Sequence, residues 1–363
     1  MPDKHCAIAS LQEWASIPAN KLKRRSRSIP TSPKTTPRTS QTRQRASLHE
    51  TSLDTTDLCH DVAKGCTNKD KTVLYLAYGS NLCDETFLGK RQIKPLSQIN
   101  VLVPEIVMTF DLPGIAYQEP CFANVRYRMP EEKVSIDHGG YHKDRWQKGL
   151  VGVVYEVTLE DYAHIIATEG GGAGYQDVLV DCHPLDANPR NRVPEQPSSS
   201  PFKAHTLFDP AGQHRPDPSY AQPSARYLKL ITDGAMERGL PYEYQDYLHQ
   251  IRVYHTTTAK QKFGQLLYMA FWGPLFTLLM RVAGPMFAKP DGTFPSWLGR
   301  LFRVLFTAAW ASYDNFFKPM FGDGERTIGD TKDNQVDAVD DEKAPLIRET
   351  VRRYGIHGRL ETV

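Results

Sequence analysis

Between Phe263 and Met280 the chain reads FGQLLYMAFWGPLFTLLM, 18 residues without one charge. Such a run cannot face water on every side. It must be covered by a core, by a partner or by lipid. Its length is the lower limit for crossing the hydrocarbon layer of a bilayer. Lys260 and Lys262 flank it on one side and Arg281 on the other, and Gly273-Pro274 in its middle predicts a kink. Beyond it, Leu298, Leu301, Phe302, Leu305, Phe306, Ala309, Tyr313, Phe316 and Phe317 recur at helical spacing, with Arg300, Arg303, Asp314 and Lys318 on the opposite face. That pattern predicts a strongly amphipathic helix. Residues 259–325 are therefore expected to form a hydrophobic and amphipathic helical extension. Through 263–321 it suits a membrane surface, or two extra helices packed on the rest of the protein. A marginal span length does not choose between them.

The rest of the chain is less constrained. Its 363 residues are 40% hydrophobic and 24% charged, enough for a sizeable core. The net charge of +2 hides an uneven spread. From Lys21 to Arg45 there are nine Lys or Arg and no acidic residue, mixed with Ser, Thr and Pro. Such a segment buries too little apolar surface to offset its ordering entropy, so 1–70 is expected to be a disordered basic tail. Within it RSRSIP resembles a motif read by phosphoserine-binding proteins, with Ser28 as the modified residue. The basic run has no interleaved aromatics for base stacking, which argues against nucleic acid. Residues 326–363 read as a charged tail. The six cysteines form no CxxC pair, and the N-terminus has no apolar signal-like run. The first points to reduced thiols in an intracellular protein and the second away from a secretory signal. Asp3 and Glu13 count against a transit peptide, so the expected place is the cytoplasm.

Residues 71–258 form the expected folded body. Thr72–Tyr78, Ile99–Phe110, Leu150–Val157 and Tyr175–Cys182 read as strands. LEDYAHIIATEG reads as a short helix, SARYLKLITDGAMERGL as a second that Gly239 stops, and YEYQDYLHQI as a third that Pro241 opens. Strands early and helices late predict an α+β fold with a mixed or barrel-like sheet. Residues 128–149 and 184–201 are expected to be surface insertions.

Two stretches could carry chemistry. The first is YGSN, where an apolar strand runs into Tyr78, Gly79, Ser80 and Asn81. Successive backbone N–H groups there can form a concave nest for a carboxylate or a developing oxyanion. Read alone, it is better taken as an ordinary turn. The second is Glu169, at a helix end and followed by Gly170, Gly171, Gly172, Ala173 and Gly174. Glycines leave room beside a carboxylate that can serve as base and then acid. Read alone, it is better taken as an exposed Glu beside a capping glycine. Asp137, His138, His142 and Asp144 have ligand-like spacing but no further partners in sequence, so no metal site is expected.

Taken together, these segments resemble the γ-glutamylcyclotransferase family: a strand into YGSN, a strand like VGVVYEV, a helix leading to Glu-Gly, then PSARYLKLITDGAMERGLPYEYQDYLHQI. The resemblance covers about half the chain, from Thr72 to His255, and implies a small mixed β-barrel with flanking helices. It also implies that Tyr78, Gly79, Ser80 and Asn81 bind substrate and that Glu169 is catalytic. Tyr175 and Tyr227 would be pocket aromatics, with DLPG and FANV (Phe122–Val125) as strands beside them. The loop is YGSN rather than the YGSL type of glutathione-specific members. The glycine run after Glu169 is longer than usual, which suits a bulkier leaving group. The implied reaction yields 5-oxoproline and a free amine and needs no cofactor. The hydrophobic extension is similar to fungal members that act on γ-glutamyl adducts in sulfur-containing secondary metabolism. The rival expectation is a non-catalytic module of the same fold held at a membrane.

Overall fold

The computed structural model describes residues 36–65, 71–128, 143, 145–168, 176–208, 215, 220–279 and 296–329. Strand β1 (Thr72–Ala77) is apolar and buried over almost its whole length. Both its edges are paired because it lies inside a closed sheet ordered β1-β5-β2-β6-β7. β5 (Leu150–Thr158) runs antiparallel to β1, with Thr72 opposite Thr158 and Ala77 opposite Val153. β2 (Ser97–Val103), β6 (Gln176–Pro184) and β7 (Phe202–Phe208) follow in antiparallel succession. β7 then meets β1 in parallel at Tyr75 and His205, which closes the sheet. At the end of β1 the strands come very close. A Cβ on Gly152 of β5 would lie 2.6 Å from the Ala77 carbonyl oxygen, so only glycine fits there.

The segment expected as one strand, Ile99–Phe110, is two. Pro104 lacks an N–H for the ladder, and the chain turns at Pro104-Glu105. β2 stays in the closed sheet. β3 (Ile106–Ile115) leaves it and pairs with β4 (Glu119–Tyr127) as a separate hairpin. Helix α3 (Leu159–Thr168) follows β5. α4 (Ala225–Glu237) starts at Ser224, whose hydroxyl accepts from the Tyr227 N–H at 3.1 Å. It is stopped by Gly239, at φ +61°. α5 (Tyr242–His249) opens at Pro241.

Residues 36–65 depart from the expectation of an unpacked tail to residue 70. They include α1 (Gln41–Ser47) and α2 (Thr55–Ala63), and Leu58 and Cys59 join the main core. Most of the docking is polar, which is why hydropathy does not reveal it. Arg43 donates to the Thr72 hydroxyl and carbonyl at 3.1 and 3.0 Å and pairs with Glu50 at 2.8 Å. Buried His205 then bridges the arm to the barrel. Its Nδ1 lies 2.8 Å from Asp177 and its Nε2 3.1 Å from Glu50. Ser28 lies outside the described residues.

The C-terminal helices build a second core. α6 (Ala259–Leu278) opens with a capping box of Thr258 and Gln261. α7 (Ser296–Ser312) continues through a π-helical turn, Tyr313–Phe317, into a last turn, Lys318–Phe321. Tyr268, Trp272 and Phe276 of α6 pack against Leu298, Phe302, Phe306 and Tyr313, together with Ile115, Ala116 and Tyr117 from the hairpin tip. No helix among the described residues is long and apolar enough to cross a membrane. The uncharged run instead has one face in this core, while Phe263, Leu266, Phe271 and Leu278 are exposed.

Burial works against protonation of His205, but hydrogen bonds with Asp177 and Glu50 outweigh it and raise its pKa above 6.5. Glu50 is also opposed by burial, yet His205 and Arg43 hold its carboxyl below 4.5. The His205 contribution is complete at low pH and is lost as pH rises through its raised value. The Glu50 contribution is lost as pH falls through its lowered value. Urea-denaturation midpoints should therefore pass through a maximum between those limits. In His205→Gln the loss on the alkaline side should disappear; its persistence would discount this clasp.

Candidate active site

The chain leaves β1 at Ala77 and turns through Ser80–Leu82 as a single 3₁₀ turn. The turn is closed by Leu82 N–H to the Gly79 carbonyl (3.0 Å) and Cys83 N–H to the Ser80 carbonyl (3.1 Å). The N–H groups of Gly79–Asn81 are thus not the ones that close it, as expected for the first residues of a helical turn. From below, Asn81 Nδ2 donates to the Tyr75 hydroxyl at 2.9 Å, and the Tyr155 hydroxyl donates to the Asn81 carbonyl at 3.4 Å. Phe87 stacks between these tyrosines, its centroid 6.4 Å from Tyr75 and 4.4 Å from Tyr155. Burial pushes the Tyr155 phenol well above its ordinary pKa, so it stays neutral. The Asn81 side-chain amide and backbone carbonyl are therefore anchors for the loop.

Helix α4 presses on the loop from one flank. A Cβ on Gly234 would lie 2.5 Å from the Leu82 carbonyl carbon and the Cys83 nitrogen. Glu237 accepts the Asp84 N–H at 2.7 Å, and Arg238 pairs with the Asp84 carboxylate. Burial, reinforced by Asp233, pushes Glu237 up to about 7.

Tyr227, in the first turn of α4, brings the walls together. Its hydroxyl accepts the Ala123 N–H at 3.1 Å, and its ring meets Phe122 edge-on at 4.9 Å. A Cβ placed on Gly79 would lie 3.5 Å from that hydroxyl and 3.7 Å from Ala123 Cβ. The end of β1, the middle of β4 and the first turn of α4 thus converge on Gly79. Tyr227 is held in turn by the Ser224 cap. The Ser224 hydroxyl donates to buried Glu119 at 3.0 Å, and Arg226 clasps the same carboxylate at 2.5 and 2.7 Å.

Of the residues expected at the site, Tyr78, Gly79, Ser80, Asn81 and Tyr227 fall in one neighbourhood, and DLPG and FANV lie on β3 and β4. Glu169 and Tyr175 lie outside the described residues. α3 ends at Thr168 and β6 begins at Gln176, so the segment holding them joins two anchored elements. One anchor is the Tyr162 hydroxyl, which donates to Asp177 at 2.5 Å. Asp137, His138, His142 and Asp144 are likewise outside. Among the described residues no group of His, Cys, Asp and Glu is arranged to hold a metal.

Sequence reasoning missed three participants. Tyr75 sits within the expected strand, and only the fold turns it beneath Asn81. The Ala123 N–H belongs to the FANV segment, but a backbone donor leaves no mark in a sequence. Glu237 was inside the matched helix, and its raised pKa depends on the loop that buries it.

These contacts separate two glycines. Gly79 has an ordinary φ of −103°, and an added methyl would make only normal contacts. Gly79→Ala should change unfolding free energy by less than about 1 kcal/mol. Gly234→Ala overpacks backbone against backbone and should cost about 1–3 kcal/mol. Chemical denaturation of both variants checks this; equal losses would contradict the geometry.

Residues 258–320 match the family described as the AclK C-terminal domain. Over 254 residues the chain is 32% identical to "Gamma-glutamyl cyclotransferase gliK" of Aspergillus fumigatus, spanning 70% of this chain and 89% of that one. Over 273 residues it is 30% identical to "Gamma-glutamyl cyclotransferase aclK" of Aspergillus oryzae, spanning 71% and 92%. A solved structure named "Gamma-glutamyl cyclotransferase" covers 52% of this chain and 92% of its own at 19% identity, with a TM-score of 0.36, too loose a likeness to add weight. By that identity with the two Aspergillus proteins over most of each chain, this protein belongs to the γ-glutamyl cyclotransferase family of carbon–nitrogen lyases.

Proposed function

We propose that the protein releases 5-oxoproline and a free amine from γ-glutamyl amino acids or γ-glutamyl adducts, with Glu169 as general acid and base. The observation that carries this reading is the convergence of Tyr227 and Ala123 on the side-chain-free backbone of Gly79, in a loop anchored through Asn81. A γ-glutamyl amide carries its own nucleophile, so closure to a five-membered lactam has proximity in its favour. It lacks a free amine at neutral pH. The Glu169 carboxylate takes a proton from the α-ammonium, and the freed nitrogen pair attacks the γ-carbonyl carbon. Its oxygen gains negative charge, which N–H donors of the Gly79–Asn81 loop stabilise. Glu169 then returns that proton to the leaving nitrogen, and the carbon–nitrogen bond breaks as the carbonyl reforms in the ring. The carboxylate next accepts the second proton from the ring nitrogen, leaving the lactam N–H, and passes it to the released amine.

The glycine run from Gly170 to Gly174 favours bulky leaving groups, which supports S-substituted γ-glutamyl adducts of secondary metabolism over simple dipeptides. The test is 5-oxoproline release from γ-glutamyl dipeptides, glutathione and S-conjugated γ-glutamyl thiols. Glu169→Gln should lower turnover by about 10²–10⁴-fold with unchanged melting. Full turnover in that variant would remove Glu169 from the mechanism.

A second reading concerns where the enzyme works. The exposed side of α6 carries Phe263, Leu266, Leu267, Phe271, Leu275 and Leu278 without a charge, next to exposed Lys260 and Lys262. This favours a helix lying in a lipid interface rather than crossing it. Co-sedimentation with phosphatidylserine vesicles, lost in Leu266→Ser/Phe271→Ser, is the expected result. Protein remaining in the supernatant would discard this reading.

A further inference from the structure

The β3–β4 hairpin tip ends inside the second core. Tyr117 sits there at φ +65°, a left-handed conformation that is costly for a bulky aromatic. The C-terminal module holds it there with several contacts. Its N–H donates to the Gly324 carbonyl at 2.7 Å, and its hydroxyl donates to the Gly322 carbonyl at 2.7 Å. Its own carbonyl accepts Gln265 Nε2 at 2.6 Å. The ring stands edge-on to Tyr313 at 5.5 Å and tilted beside Tyr268 at 5.9 Å. Gly324 is pressed against the ring so closely that a Cβ would meet it at 2.9 Å.

The same stretch holds the approach to α4. The Gln222 N–H donates to the Glu325 carbonyl at 2.8 Å, and the Gln222 side chain accepts the Thr327 N–H at 2.7 Å. Gln222 lies two residues before Ser224, the cap that presents Tyr227. Tyr117 lies two residues before Glu119, the carboxylate bound to that cap. Residues 322–327 therefore grip both segments that meet over Gly79, each just ahead of the residue that matters.

We propose that the C-terminal helical module is a positioning element of the site, acting through Tyr117. By fixing the hairpin tip and the lead into α4 against one another, it sets the Ala123-to-Tyr227 contact and hence the width of the space over Gly79. Its kinetic consequence rests on the cyclotransferase reading; its structural consequence does not.

The test uses the full chain with Gly324→Ala, Gln265→Ala, Tyr117→Phe and, as a control, Val304→Ser on the exposed side of α7. Two readouts are taken: amide exchange in a peptide covering 119–127, and kcat and KM for 5-oxoproline release. In Gly324→Ala, exchange should accelerate and KM should rise, each by about tenfold, with kcat less affected. Gln265→Ala should shift both in the same direction by less, which keeps the test open if Gly324→Ala fails to fold. Tyr117→Phe keeps the ring and should stay within about threefold of the parent, and the control should match it. Unchanged exchange in folded Gly324→Ala and Gln265→Ala would overturn the proposal, as would lowered melting with unaltered exchange and KM. A parent chain that releases no 5-oxoproline would sink the functional reading and leave exchange alone to judge the positioning.

Discussion

The Tyr227 hydroxyl lies 3.5 Å from where a side chain on Gly79 would begin and accepts the Ala123 N–H at 3.1 Å. Three parts of the fold meet at that point, and each arrives there for its own reason. β1 comes as a strand buried inside a closed sheet. β4 comes because Pro104-Glu105 turns β3 out of that sheet into a hairpin. α4 comes because Ser224 caps it against Glu119. No one of these elements makes a pocket alone. They approach closely at a residue without a side chain, where a single methyl would already touch Tyr227 and Ala123.

The burden of polar burial is distributed accordingly. Beneath the loop, Asn81 Nδ2 donates to the Tyr75 hydroxyl and the Tyr155 hydroxyl donates to the Asn81 carbonyl, so the turn is tied to the strands below it. Beside it, Glu119 is enclosed with Ser224 and Arg226, the kind of fully partnered buried carboxylate that costs little while intact and much when broken. Farther off, His205 between Asp177 and Glu50 ties an N-terminal arm to the barrel seam. That seam is the parallel Tyr75–His205 contact, so the same histidine column that docks the arm also sits where the sheet closes.

How much of this the sequence disclosed depends on what carried each feature. β1, β5, α4 and α5 could be read because burial imposes apolar periodicity and because Ser224, Gly239 and Pro241 mark helix ends. The YGSN loop and Tyr227 could be placed together only through family resemblance, since nothing in their spacing brings residue 79 to residue 227. α1 and α2 escaped notice because Arg43, Glu50 and His205 do by ion pairing what periodicity would have advertised. The run from Phe263 announced that something must cover it. It did not announce that one face would be covered by Tyr117 and α7 while the other stayed exposed. Backbone donors such as the Ala123 N–H are invisible in any sequence.

The most direct test of the account is a structure of the protein with 5-oxoproline bound. It predicts the product over Gly79, with oxygen atoms about 3 Å from loop N–H groups and the ring against Tyr227 and Ala123. Product bound elsewhere, with the space over Gly79 empty, would contradict it.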